Sequence, residues 1–448
     1  MKKALLVITG FVILVLSTNT LANDILSMKQ RSELIDNITI ERFDTVLPQI
    51  MKRENIDMWV LMSREYNEDP VLKTMLPSTW LSARRHTMLV IYNPGSGKPL
   101  EKLAVARYAV GSLFKKAWDK EAQPNQWEAL KQIIESRNPS KIAINTSDTF
   151  ALADGMTSTE YEKFMSILSD DFKRRVVSGE MLSIGWLETR SELEMQYYPI
   201  LAQIGHSLIA TAFSNEVITP NVTTTDDVVW WLRDQTRALG LTNWFHPTVS
   251  IQREDSEVFD QVTAFSKRPG ENIIRPGDLI HVDFGITYLR LNTDQQQHAY
   301  VLKPGEKDAP ASLKAALKAG NQLQDILTSN FKTGRTGNTI LSMSRKQAIA
   351  QEITPAIYTH PLGFHGHGAG PTIGMWDAQE GVPIKGDYPM YAETAYSIEL
   401  NAASYIDEWN KEIRIMLEED AFFDGESVTY LDGRQTEFHL IHSQTNQN

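Results

Sequence analysis

Five residues between positions 283 and 418 are of the types that hold metal ions: Asp283, Asp294, His367, Glu399 and Glu418. The first two stand in HVDFGITYLRLNTD, where an apolar strand rises to Asp283 and the next strand reaches Asp294. A hairpin brings both carboxylates to one place. With Glu399 in SIELNA, Glu418 in MLEED and His367 in FHGHGAG, the set has the make-up of a two-metal hydrolytic site.

Strand parity explains why the acids belong together. From Asp278 to Phe284, alternation puts Ile280, Val282 and Phe284 on one face, and Leu279, His281 and Asp283 on the other. The same rule sets Glu399 opposite Ile398 and Leu400. An acid in an apolar strand is costly to bury unless something positive neutralises it, and one shared cation satisfies several. Taken singly, a strand aspartate is usually a solvated edge residue and a loop histidine a turn residue; the ordered set carries the reading. Glu419 competes with Glu418, where strand parity alone chooses, and His365 competes with His367 across the glycine loop.

These residues need a frame to hold them. The chain has 448 residues, 42% hydrophobic and 22% charged, enough for a large core in about two or three domains. Residues 1–22 carry two lysines, an apolar run from Ala4 to Leu16 and small residues ending at Ala22, the layout of a secretory signal cleaved after Ala22. The run is shorter than the ~20 residues of a membrane span. A periplasmic or secreted location follows, with no membrane association once the signal is gone. The net charge of −12 disfavours nucleic acid and anionic membranes as partners. Without any cysteine, a metal site must use carboxylates and imidazoles.

Residues 23–180 alternate helical patterns with the short apolar strands IDMWVLMS, TMLVIYN, LAVARY and KIAINTS, an α/β arrangement. NPGSGKPL lacks the phosphate-loop spacing and has Pro99 where a hydroxyl is needed, so it reads as a β-turn. Residues 181–438 open with two helical stretches, SELEMQYYPILAQIGHSLIATAFS and TTTDDVVWWLRDQTRALG. Trp230 and Trp231 read as packing residues. Strand-like runs follow, giving an α+β domain with a central cleft; residues 439–448 form a tail.

On these motifs the chain resembles the pita-bread metallopeptidases, the family of methionine aminopeptidases, aminopeptidase P and prolidase. Asp283 matches the aspartate of the family's DFG strand and Asp294 its second aspartate. His367 matches the histidine of its GHG(I/A)G loop, Glu399 the glutamate of its IEP strand and Glu418 that of its RIED strand. The first part resembles the creatinase-type N-terminal domain of the prolidase and aminopeptidase P branch. The implied fold is an α+β pita-bread catalytic domain preceded by a smaller α/β creatinase-like domain.

The resemblance implies two divalent metal ions, a short peptide substrate and a homodimer. Manganese is the first expectation for the ions; zinc, cobalt and iron also suit oxygens and one imidazole. It gives Glu399 the role of proton acceptor and donor. The chain also departs from the family. No histidine occurs between Gln261 and Ile274, shortly before the DFG strand, and the HE or HD pair is replaced by Trp376-Asp377. The arginine two places before the last glutamate is Met416. His365, His246 and Arg414 are therefore the candidates to stabilise an oxyanion. The expected activity is a peptidase on short peptides, with Xaa-Pro aminopeptidase or dipeptidase as its narrower form. Hydrolysis of a non-peptide C–N bond, as in creatinase, and a non-catalytic binding role are the alternatives.

Overall fold

The apolar segments of the first part assemble into one mixed sheet. The structure, a computed structural model, describes residues 25–95, 97–255 and 272–443; the expected signal at 1–22 lies outside the described residues. Across the sheet the strands run Lys115–Lys116, Glu101–Val105, His86–Tyr92, Met58–Arg64, Ile142–Ile144 and Val176–Ser178. Met58–Arg64 is central and apolar on both faces because both are covered. Trp59 and Leu61 join one core, while Met58, Val60 and Met62 join the other. NPGSGKPL connects two antiparallel strands, with Gly95 and Gly97 both at positive φ, as a turn requires.

In the second part, helix Glu192–Ala212 starts at a capping box of Ser191 and Glu194, and helix Thr225–Ala238 at one of Thr224 and Asp227. Besides a small sheet of Thr242–Asn243, Ile286–Tyr288 and Leu291–Asn292, three sheets follow. The first orders His439–Ile441, Gln295–Val301, Leu279–Phe284 and Thr248–Gln252. The second holds Thr354–Ile357, Leu400–Ile406 and Lys411–Leu417, and the third His360–Leu362, Thr394–Ser397, Asp420–Phe423 and Val428–Tyr430. Helix Ala311–Ser329 packs across the second sheet, and helix Gly337–Ala350 packs beside it. The region expected as a tail from 439 begins with a strand paired in parallel to Gln295–Val301, because Ile441 is fully buried there. Of the paired tryptophans, Trp231 packs on the core and Trp230 is half exposed.

Packing interleaves the two parts at their seam. Leu34 and Ile38 of helix Met28–Glu41 join the core of helix Glu192–Ala212, while Leu182, Ile184 and Trp186 of helix Glu180–Glu188 join the core of the first sheet. Arg42, fully buried, donates to Glu194 Oε2 at 2.6 Å and to the Thr189 carbonyl at 2.6 Å. Arg190 donates to Glu194 Oε1 at 3.2 Å. Two buried guanidiniums thus converge on one carboxylate. Arg290 adds a second tie, donating to the carbonyls of Thr74 at 3.1 Å and Leu76 at 2.9 Å. Removing the Glu194 charge leaves both arginines without it. Glu194→Gln should lower stability by about 3–5 kcal/mol in chemical denaturation; a loss under about 1 kcal/mol refutes this role for the pair.

Candidate metal centre

The candidate ligands stand where strands end or break. Asp283 lies near the end of Leu279–Phe284, and Asp294 just before Gln295–Val301, across a hairpin that pairs Thr287 with Asn292. Three chains pass from the second sheet to the third, with breaks at Tyr358-Thr359, Ile398-Glu399 and Glu418-Glu419. His360, Glu399 and Glu418 stand at or beside these breaks. A break frees a side chain from strict alternation, so residues from three strands can point to one spot.

Ligand atoms of Asp283, Asp294 and Glu418 lie within 4.8 Å of one another, as do those of His360, Glu399 and Glu418, and those of Asp294, His360 and His367. The four acids that the sequence singled out therefore meet. Glu419 turns to the opposite side, 2.6 Å from His206 Nε2. Glu418 faces the cluster, accepting from Ser397 Oγ and, at 2.6 Å, from Gln296 Nε2.

The histidine at the centre of the group is His360, which the sequence reading missed. Its Nε2 lies 3.8 Å from Asp294, 3.9 Å from Glu399 and 3.7 Å from Glu418, buried and without a hydrogen-bond partner. Its Nδ1 is 3.1 Å from the Pro361 carbonyl, which can only accept, so Nδ1 carries the proton and Nε2 presents a lone pair to the acids. Burial, with His367 nearby, pushes His360 down to about 3 and keeps it neutral. The available signal was a lone imidazole in the buried segment THPLG.

His367 borders the centre. It is exposed, with its ring 4.8 Å from His360, 5.1 Å from Trp244 and 6.0 Å from Tyr358. Trp244 donates to the Thr293 carbonyl at 2.7 Å and passes between Gly285 and Gly366. A Cβ at Gly285 would come within 2.2 Å of the indole, and one at Gly366 within 2.3 Å, so the glycines make room for this wall.

The three other catalytic candidates are not part of the ligand groups. His246 packs on Trp230 and lies 3.2 Å from Arg233. Burial holds His365 down to about 4, with Lys73 and Arg190 adding to the effect, and its Nε2 is buried without a partner. Arg414 donates to Asn401 at 2.9 Å, four residues along the strand from Glu418, roughly 13 Å at strand rise.

The donor set fits divalent cations. Burial pushes Asp283 up to about 7; burial and mutual repulsion push Asp294, Glu399 and Glu418 well up. No lysine or arginine pairs with these four acids among the described residues, and Asp283 Oδ1 is buried without a partner. Four carboxylates match the charge of two divalent ions, and oxygen with imidazole is a hard-to-borderline donor set.

The model of metallopeptidase family M24 matches residues 201–421, the segment that carries every one of these ligands. The chain belongs to metallopeptidase family M24. Family M24 typically binds two divalent ions. Solved structures extend the likeness over the first part. An X-Pro aminopeptidase from Thermotoga maritima aligns with TM-score 0.60 and 15% identity over 88% of this chain and 99% of its own. An Xaa-Pro dipeptidase from Bacillus anthracis gives 0.60 and 16% over 93% and 100%. The prolidase from Pyrococcus horikoshii gives 0.54 and 14% over 90% and 99%. At such identities the likeness shows the fold: a pita-bread domain preceded by an α/β domain. No curated protein matches the chain. The M24 chain is accordingly a metallopeptidase hydrolase.

The raised carboxyls give a pH signature for the metal-free enzyme. Burial pushes Asp283 up to about 7 in the folded state, against about 3.9 unfolded, so between those values the folded state holds more protons and stability falls as pH rises. The gap in melting temperature between metal-loaded and metal-free protein should therefore widen from pH 5 to pH 8. Asp283→Asn should raise the metal-free melting temperature by about 2–4 °C at pH 8 and shrink the metal-induced gain. A gap independent of pH contradicts the assignment.

Proposed function

We propose that this metallopeptidase is an aminopeptidase or dipeptidase of short peptides, working with two divalent ions, manganese first among them. The observation that carries the reading is the convergence of Asp283, Asp294, His360, Glu399 and Glu418, with Glu399 more open than Asp294 and Glu418. Its side chain is 13% exposed, against 4% for Asp294 and 2% for Glu418. Divalent ions on these donors supply Lewis acidity and lower the pKa of water toward ~7.

The chain's own groups do the rest. Glu399 accepts the proton of the attacking water and returns it to the leaving amine, a role suited to a carboxylate that is both reachable and raised by burial. His367, exposed beside His360, offers a ring N–H to the carbonyl oxygen as it gains charge. That assignment replaces His246, His365 and Arg414 as first choice, since His367 borders the cluster and they do not. Trp244 and Tyr358 form an apolar wall for the side chain next to the scissile bond.

The Xaa-Pro form of the activity is supported by the names of the structural neighbours and by the two-part layout. The altered histidines count against it. Export with cleavage after Ala22 and a homodimer complete the proposal; among the described residues no helix is long and apolar enough to cross a membrane.

A dipeptide and tripeptide library treated with manganese-loaded enzyme tests the reading. Wild type should cleave a subset, Glu399→Ala should lose at least about 100-fold in kcat, and His367→Ala about 10²-fold. Metal-loaded wild type that leaves every peptide intact overturns the peptide substrate and favours another C–N bond. Cleavage confined to peptides without proline removes the Xaa-Pro form.

A further inference from the structure

Behind the acids lies a glutamine that no metal motif contains. Gln296 is opposite Asp283 in the sheet and forms an isolated bridge with Glu418, its N–H reaching the Glu418 carbonyl at 2.9 Å. Its side-chain amide donates to Glu399 Oε1 at 3.0 Å and to Glu418 Oε2 at 2.6 Å. The two amide hydrogens thus go to two different carboxylates.

The other end of the amide is also held. Gln296 Oε1 lies 2.8 Å from His281 Nε2, and His281 Nδ1 lies 3.4 Å from Ser250 Oγ. Both side chains are buried. A reversed amide would set its carbonyl against two carboxylates and lose both of those bonds. A His281 ring that donates from Nε2 therefore locks the productive orientation.

Alternation along the strand makes Gln296 the only one of three successive glutamines to face the acids. Gln295 donates to the Ala202 carbonyl at 3.0 Å, and Gln297 to Glu419 at 3.2 Å, both on the rear side. A neutral double donor suits the place. A lysine there would satisfy the acids without metal, and an aliphatic residue would leave them unoriented.

We propose that Gln296 is a positioning residue that sets the spacing and direction of Glu399 and Glu418 for the two metal ions, and that His281 acts through it. This rests on the reading of those two acids as members of a dinuclear centre. Hydrogen bonds from behind a ligand typically change metal affinity 10–100-fold when removed.

The test is cobalt titration of the metal-free full chain, followed by calorimetry and visible absorption, with steady-state kinetics on a cleaved peptide. Gln296→Met conserves volume and removes the amide. It should bind at least one ion about 10–100-fold more weakly, change the cobalt spectrum, and lower kcat while leaving KM nearly unchanged. His281→Phe should shift each quantity the same way by less. The double variant should be no worse than Gln296→Met alone, because His281 works through the amide. Unaltered affinity and spectrum in Gln296→Met, or additive losses in the double variant, overturn the proposal. If Gln296→Met does not fold by circular dichroism, His281→Phe decides by the same affinity and spectrum. Wild type that takes up no cobalt overturns the dinuclear reading itself, and this proposal with it, before any variant is compared.

Discussion

Repulsion among four buried carboxylates is the constraint on which the catalytic half is built. Ionised together in a low-dielectric pocket, Asp283, Asp294, Glu399 and Glu418 would drive one another apart. Carboxyl pKa values held up by burial and repulsion relieve them in the metal-free chain, and the proposed divalent cations would relieve them in the working one. The surrounding structure is arranged to keep the acids close despite this. A hairpin clamps the two aspartates, and two sheets share three broken strands whose gaps fall at one level. Among the described residues, no lysine or arginine pairs with the acids, and the imidazole among them is held neutral by burial. That leaves the charge to be balanced by ions.

Holding such a cluster requires rigid surroundings, and the seam with the first domain contributes. Arg42 and Arg190 meet on Glu194, which also caps the helix that runs along the rear of the sheet. Arg290 extends from the turn between the two aspartates to the carbonyls of Thr74 and Leu76. Leu289 and Arg290 both have positive φ, so this turn stores backbone strain that the hydrogen bonds across the seam offset. The N-terminal domain thereby bears on Asp283 and Asp294 without supplying a candidate ligand.

Most of this frame was legible in the chain. The alternating helices and strands of the first part, the two capped helices and the antiparallel strands of the second all follow from period and punctuation. Asp283 and Glu399 were legible because each interrupts an apolar strand at a definite parity. The strand breaks were not. SIELNAA and IRIMLEEDAFF read in sequence as uninterrupted strand-like runs, and only the joining of two sheets interrupts them. His360 was hidden for a related reason: it begins a three-residue strand in THPLG, while the glycine-rich loop with His365 and His367 drew the motif match. Gln296 was invisible because QQQH has the composition of an exposed stretch, yet Gln295 to Val301 is buried throughout.

The break at Glu418 shows how one short segment serves two sides of a sheet. Glu418, Glu419 and Asp420 are consecutive acids, and all three are buried. Each has its own partners, although Asp420 Oδ2 is buried without one. Glu418 points forward to the cluster and to Gln296 and Ser397. Glu419 points back to His206, to Gln297 and to the Gln435 N–H. Burial opposes a charge on His206, but Glu419 and Asp432 hold its pKa up at about 9, so the rear acid has a permanent cation. Asp420 accepts the Asp294 N–H at 2.9 Å and so ties the third sheet to the second aspartate of the cluster. The rear acid is paired within the protein, and the front acid is free to join the proposed metal centre. Had His206 faced Glu418 instead, the same three acids would make a stable sheet and a poor metal site.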